Sequence, residues 1–177
     1  MSQPTFELRR AVAADAAALA VLGERCFRDT YAEFNTAANM ELHCRESYGA
    51  DRQRAEIASD SMITWLAEAG GELIGFCQLN LLRANPCVPA QRPLEIYRLY
   101  VRRDWHGARA GRALIERAAQ TARELGCDVV WLGVWERNPR AVAFYRRMGF
   151  VEAGEQIFQL GEDAQRDHVM QLRIDTA

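Results

Sequence analysis

No Cys-x-x-Cys pair occurs among the five cysteines, Cys26, Cys44, Cys77, Cys87 and Cys127, which are odd in number and scattered. That disfavours a disulfide framework and a zinc knuckle, and the thiols read as small apolar residues in a reducing compartment. Histidine is sparse as well: His43, His106 and His168 stand far apart and outline no cluster, so no metal is expected. The stretch MSQPTFELRR lacks the apolar core of a signal peptide, and no run approaches the roughly 20 apolar residues of a membrane span. Both absences point to the cytoplasm and to no membrane partner. Positive charge is not in excess: 22 basic against 24 acidic residues leave a formal net charge of -2, which offers no sequence-wide field to nucleic acid. Any anion must be bound locally. Neither G-x-G-x-x-G nor G-x-x-x-x-G-K-[ST] is present, so the Rossmann fingerprint and the P-loop are both missing, as are repeats and low-complexity segments.

What is present fits one domain spanning 1–177, since 49% hydrophobic against 26% charged residues over this length supply a sizeable core. A strand over 6–11 precedes a helix over 13–27, whose Ala18, Leu19, Leu22 and Cys26 recur at helical spacing. Short helices follow near 38–47 and, capped by Asp51, over 52–59. MITWLAEAGGELIGFCQLNLL holds two apolar runs about Ala69-Gly70-Gly71, a hairpin signal. The segment 83–93 contains three of the five prolines and reads as a loop before a strand over 94–101, LEIYRLYV. A helix starts near 109, with Leu114, Ala118, Ala122 and Leu125 on one face and Gly126 as its stop. A strand over 128–135, a helix over 138–148 and strands around 150–160 and 167–174, with GEDAQRD between the last two, complete the chain. The order predicts a mixed α/β (α+β) fold, with a mostly antiparallel sheet of about seven strands flanked by helices. One strand–helix–strand step, 94–135, is expected to be parallel and right-handed.

Three stretches carry side chains suited to chemistry. WHGARAGRAL (105–114) is a turn that opens a helix, and such a turn presents unpaired N–H groups at the positive end of the helix dipole, where an anion can sit. The amides of 107–112 form it, Gly107 and Gly111 allow close backbone approach, and Arg109 and Arg112 add charge. Taken alone, the loop equally fits a tight connection with solvated arginines. NPRAVAFYRRMGF (138–150) begins with Asn138 as cap and Pro139 at the first helical position, and gathers Ala141, Phe144, Tyr145 and Met148 on an apolar face. A core helix explains that face but does not require a tyrosine hydroxyl on it. Glu95 opens the strand LEIYRLYV, where a carboxylate also fits a solvated edge.

Together these stretches resemble the GNAT superfamily of acyl-CoA N-acyltransferases over nearly the whole chain. The family's Q/R-x-x-G-x-G/A loop, which takes the CoA pyrophosphate, falls on 106–111: His106 replaces Gln or Arg, Arg109 replaces the first glycine, and Gly111 keeps the last. The run N-x-x-A-x-x-F-Y-x-x-x-G-F is present without a break. CFRDTYAEFNTAANM (26–40), LEIYRLYV, WLGVWERN and GEDAQRDHVMQL are further similar to bacterial spermidine/spermine N-acetyltransferases within that superfamily.

The resemblance implies acetyl-CoA as cofactor and a small-molecule amine, a polyamine or another small amine, as acceptor. His106, Gly107, Ala108, Arg109, Ala110, Gly111 and Arg112 would hold the pyrophosphate, Arg109 in right-handed helical geometry with its guanidinium supplementing the amides. The backbone of Leu99, Tyr100 and Val101 would hold the pantetheine amide, with Asn138 and Phe144 as further cofactor contacts. The strands 94–101 and 128–135 would splay apart to admit it. An alkyl ammonium with a pKa near 10.4 costs roughly 4 to 5 kcal/mol to deprotonate at neutral pH, so a base is useful. Glu95 would take that proton, a backbone N–H would stabilise the oxyanion, and Tyr145 would donate to the leaving thiolate. On this reading Glu95→Gln loses most activity at low pH, where free amine is scarce. Asp29, Tyr31, Glu33, Trp65 and Trp135, with Glu41 and Glu46, are the candidates for meeting a polycation and flanking its methylenes, although the acids also fit a solvated face. Transfer to a protein N-terminus or lysine, and a CoA-sensing module without turnover, are the alternatives. Glu95 and Tyr145 speak against the second of these. Homodimer formation is left open.

Overall fold

Among the described residues, 5–81 and 83–175 of a computed structural model, the chain alternates as expected between strands and helices. β1 (Glu7–Arg10) leads to α1 (Ala16–Tyr31), α2 (Ala37–Ser47) and α3 (Ala50–Ala58), followed by β2 (Met62–Ala69), β3 (Glu72–Asn80) and β4 (Pro93–Val101). α4 (Ala110–Glu124), β5 (Val129–Trp135), α5 (Pro139–Arg147), β6 (Val151–Leu160) and β7 (Asp163–Arg173) complete it. The strands form one sheet in the order β1-β2-β3-β4-β5-β7-β6, antiparallel throughout except for β4 beside β5. No helix among the described residues is long and apolar enough to cross a membrane.

Local chemistry sets the connections. Gly70 and Gly71, at φ +59° and +81°, supply the two positive φ angles of a two-residue hairpin between β2 and β3. In the last hairpin Gly161, at φ +59°, opens a two-residue loop that sets Leu160 opposite Asp163. β7 therefore starts at Asp163, four residues earlier than expected, because GEDAQRD is largely strand rather than loop. Its polar side chains alternate, so that Gln165 and Asp167 turn inward and are buried. Asp51 is not a cap either: Gly49 stands at the N-cap of α3, and Asp51 lies in the first turn, bonded to Arg54 at 2.6 Å.

The two faces of the sheet have distinct cores. α4 and α5 pack Leu114, Ile115, Ala118 and Tyr145 against Leu94, Ile96, Val130 and Leu132. α1 and α2 cover the other face, with Leu19, Leu22 and Cys26 over Leu66 and Phe76, and Phe27, Met40 and Cys44 near Leu160. Each fully buried aliphatic side chain contributes about 1.5 to 3 kcal/mol, which is what pins the register of a two-faced sheet.

That register leaves an opening. β4 and β5 pair only at Pro93↔Val129, Leu94↔Val130 and Glu95↔Trp131, although β4 runs on to Val101 and β5 to Trp135. The expected splay of these strands is present. A β-bulge adds to it: Gln78 faces Arg98 and Leu79 faces Ile96, so Tyr97 is the extra residue of β4. Arg98, anchored to Glu56 and Gln78 at 2.7 Å each, holds the bulge in place from the α3 side.

Candidate active site

At the α4 end of the gap, a 3-10 turn (Arg103–Trp105) carries the chain from β4 into the helix. His106 turns its ring back so that Nε2 lies 2.9 Å from the carbonyl oxygen of Val101. Burial holds His106 below its ordinary pKa, opposed by that bond and reinforced by the charges of Arg140 and Arg103. Gly107 has φ +91°, and Arg109 has φ 65° and ψ 3° at the N-cap of α4. The expected right-handed geometry of Arg109 is thus incorrect: the loop keeps the left-handed turn of a glycine and holds an arginine in it, at a cost of roughly 1 kcal/mol. The first helical bond runs from Ala113 N–H to the Arg109 carbonyl, and the amides of 109–112 have no acceptor among the described residues. Of the expected amides 107–112, that of Ala108 is taken by the Trp105 carbonyl at 3.2 Å, and those of 109–112, with Arg109 and Arg112 beside them, stay able to receive an anion. A Cβ on Gly111 would lie 3.4 Å from Phe144, so the missing side chain lets α5 close against the loop. Arg140, felt by His106, joins the basic rim and was not singled out from the sequence.

The edge of β4 that faces β5 is open beyond Glu95. Arg102 N–H bonds the Ile74 carbonyl of β3, and antiparallel alternation then turns the backbone of Tyr100 to β3 and that of Leu99 and Val101 to the open edge. His106 already occupies the Val101 carbonyl, while the N–H and C=O of Leu99 have no backbone partner among the described residues. Of the three residues expected to offer backbone, Tyr100 does not. Its side chain instead reaches the α1 face, packing on Phe76 with ring centroids 5.6 Å apart.

Tyr145 sits on α5, 9% exposed, edge-on to Phe144 and Phe150. Burial, with the neighbouring Tyr31 and Cys77, pushes its hydroxyl well above the ordinary tyrosine value, so it remains a proton donor. Asn138 caps α5 as expected, its Oδ1 accepting from Ala141 N–H at 3.1 Å, and its side chain also steadies Tyr31.

Glu95 lies where the strands part and is only 4% exposed. One carboxylate oxygen is 3.7 Å from Arg83; the other is buried without a hydrogen-bond partner among the described residues. Burial pushes the Glu95 carboxyl up to about 7, against the lowering charges of Arg83 and Arg98. Arg83 belongs to the 83–93 loop, and nothing in the sequence marked it.

Alternation along β5 turns Trp131, Gly133 and Trp135 to the face that bears Glu95. Of the expected acceptor residues, the structure brings Tyr31 and Trp135 together there, ring centroids 5.5 Å apart, with Phe34 5.3 Å from Trp135. Trp65 is on the opposite face and is withdrawn: its Nε1 donates to Thr121 at 3.1 Å, and Arg117 lies 3.9 Å over its ring beneath α4. Asp29 and Glu33 have no side-chain bonds among the described residues, the Asp29 carbonyl accepting from Arg103, while Glu41 pairs with Arg28. The carboxylate that does reach this space is Asp167, 7% exposed, opposite Trp135 in register. Burial pushes it up to about 6, opposed by a hydrogen bond from Gln156. The sequence signal was available in D-x-V, an acid alternating with the buried Val169 at the start of the strand expected over 167–174.

The sequence profile of the acetyltransferase (GNAT) family matches residues 26–150. An uncharacterised N-acetyltransferase of Lactobacillus delbrueckii subsp. lactis is 29% identical over 153 residues, 86% of this chain and 88% of that one. Streptothricin acetyltransferase of Streptomyces lavendulae is 33% identical over 129 residues, 72% of this chain and 65% of that one. Among solved structures, the PaiA N-acetyltransferase of Thermoplasma acidophilum in complex with coenzyme A superposes with a TM-score of 0.78 at 22% identity, over 96% of this chain and 99% of that one.

Proposed function

The chain belongs to the acetyltransferase (GNAT) family, whose members use acetyl-CoA, and from that premise we propose that it acetylates the primary amine of a small molecule, a polyamine or related amine, within one catalytic domain spanning 1–177. The observation that carries this reading is Glu95: a buried carboxylate with one oxygen unpartnered and a pKa near neutrality, at the point where β4 and β5 separate. A base working at pH 7 needs those properties.

The donor's features fit the residues present. The unpaired amides of 109–112 and the arginines beside them suit a pyrophosphate, and the open edge of Leu99 suits the amide-bearing arm. Acetyl-CoA supplies an acetyl group activated as a thioester. Glu95 takes the proton from the acceptor ammonium, directly or through one water, and so frees the nitrogen lone pair. Leu99 N–H, on the open edge, orients the carbonyl oxygen and stabilises charge there. Tyr145 delivers its hydroxyl proton to the sulfur as the C–S bond breaks, and Asn138 keeps Tyr31 aligned beside it.

A small acceptor is favoured by the enclosed setting of Glu95, Tyr31 and Trp135, and the streptothricin relative is consistent with it. The test is thiol release from acetyl-CoA across spermidine, spermine, putrescine, amino acids, aminoglycosides and short peptides. Turnover is expected with the polyamines; acetyl-CoA binding with every amine silent would remove the assignment.

A further inference from the structure

The acceptor side holds a carboxylate that the reaction above does not use. Asp167 is 7% exposed, and no ion pair forms at it among the described residues. The sequence contains no lysine at all, so its basic side chains apart from histidine are all arginine, and among the described residues none of them pairs with this carboxylate. A carboxylate buried without a cation is costly to fold, yet this one is carefully held. Asn85 Nδ2 donates to Gln156 Oε1 at 2.8 Å, and the Gln156 amide in turn donates to Asp167. Gly133 makes the room: a Cβ there would lie 3.0 Å from Asp167 Oδ2 and collide with Gln156. The absent side chain therefore lets Asp167 lean across β5 toward the gap. Tyr31, whose ionisation senses Asp167, and Trp135 place aromatic faces beside it. Phe34 packs edge-on to Trp135 on the outer side of this cluster.

We infer that Asp167 binds a second ammonium group of the acceptor, beside the packed rings of Tyr31 and Trp135, and makes the enzyme select diamines and longer polyamines over monoamines of equal length. The inference rests on the small-amine reading above. An anion ringed by aromatic faces is the setting that an alkylammonium prefers. The unpartnered Glu95 oxygen independently marks where the other nitrogen belongs. Glu95 is the register partner of Trp131, and Gly133, beside which Asp167 Oδ2 lies, is two residues further along the same face of β5, so the two carboxylates flank one stretch of the gap. The pKa of about 6 leaves Asp167 largely ionised at neutral pH, and a bound ammonium would lower it further.

The experiment is calorimetric titration of putrescine and of n-butylamine into CoA-saturated wild type, Asp167→Asn and Gly133→Ala. Wild type is expected to bind putrescine about tenfold or more tighter than butylamine, and Asp167→Asn to erase that preference while leaving butylamine and CoA affinities unchanged. Gly133→Ala keeps the charge but displaces the carboxylate, and should erase it too, which guards against misfolding of the first variant. Wild type without a preference, or a preference that survives both variants, overturns the assignment. Thiol release measured in parallel separates the two readings: turnover without diamine preference sinks only Asp167, and diamine binding without turnover sinks only the catalytic assignment.

Discussion

On the side of the gap between β4 and β5 proposed for the donor, a few consecutive residues, 106–112, present backbone amides, and the side chains only flank them. On the side proposed for the acceptor, Tyr31, Glu95, Trp135 and Asp167 come from four separate segments: sheet parity turns the last three to one face, which the C-terminal end of α1 covers with Tyr31. The first arrangement tolerates replacement of a glycine by Arg109, since the left-handed turn survives and the amides still point outward. The second tolerates far less. Moving any of its strands by one residue would send Glu95 or Asp167 to the α4 face.

The contrast is tested most severely at the residue that serves both sides. Tyr145→Phe is expected to lower kcat about 100-fold or more with KM for acetyl-CoA within about twofold, read by steady-state kinetics. Unchanged kcat would mean that the hydroxyl is mere packing. Glu95→Gln should reduce kcat/KM by a comparable order, and the pH profile tells why. With Glu95 titrating near 7, the wild-type rate should rise through that pH as the carboxylate ionises, and the loss in the variant should be greatest above pH 7. The raised pKa thus reverses the expectation of a greater loss at low pH. Stability should move oppositely. A carboxyl whose folded pKa lies above its ordinary value destabilises the fold only once ionised, a penalty absent below about 4.5 and complete above about 7. Glu95→Gln should therefore gain up to about 3 kcal/mol over wild type at pH 8 and nothing at pH 4, measured by denaturant titration.

Smaller effects are expected on the donor side. Arg109→Gly relieves a positive φ but removes a charge, so thermal stability should increase by roughly 1 kcal/mol while KM for acetyl-CoA rises several-fold. Arg109→Ala should raise KM alike without the gain in stability. Thr121→Val, which leaves the Trp65 indole N–H without its partner, should cost about 1 kcal/mol and leave every kinetic constant unmoved. A change in amine KM there would return Trp65 to the acceptor site.

The same contrast explains what could be read in advance. The loop at 106–111 and the helix begun by Asn138-Pro139 are local, and glycine, proline and cap chemistry announce them within a dozen residues. The hairpins and the one parallel crossover were legible from glycines and element order, but not that β7 rather than β6 lies beside β5. Parity was harder: Trp65 looked as available to a substrate as Trp135, and only the register places one beneath α4 and the other beside Tyr31. Asp167 opened the strand expected over 167–174, but the polar run GEDAQRD before it, which is largely strand, concealed the alternation that turns it inward. The backbone conformation of Arg109 was misjudged for a different reason. Residue type sets the cost of a left-handed turn, not whether surrounding structure imposes it.

The sheet is fastened across its middle by three register pairs, and the rest of the β4 edge is left without a neighbour. A donor laid along that edge, as proposed, would act as the missing strand, and its concentration would become part of the protein's folding equilibrium. When the acetyl donor runs low, the enzyme should be not merely idle but easier to unfold and to clear, tying its abundance to the supply of what it consumes.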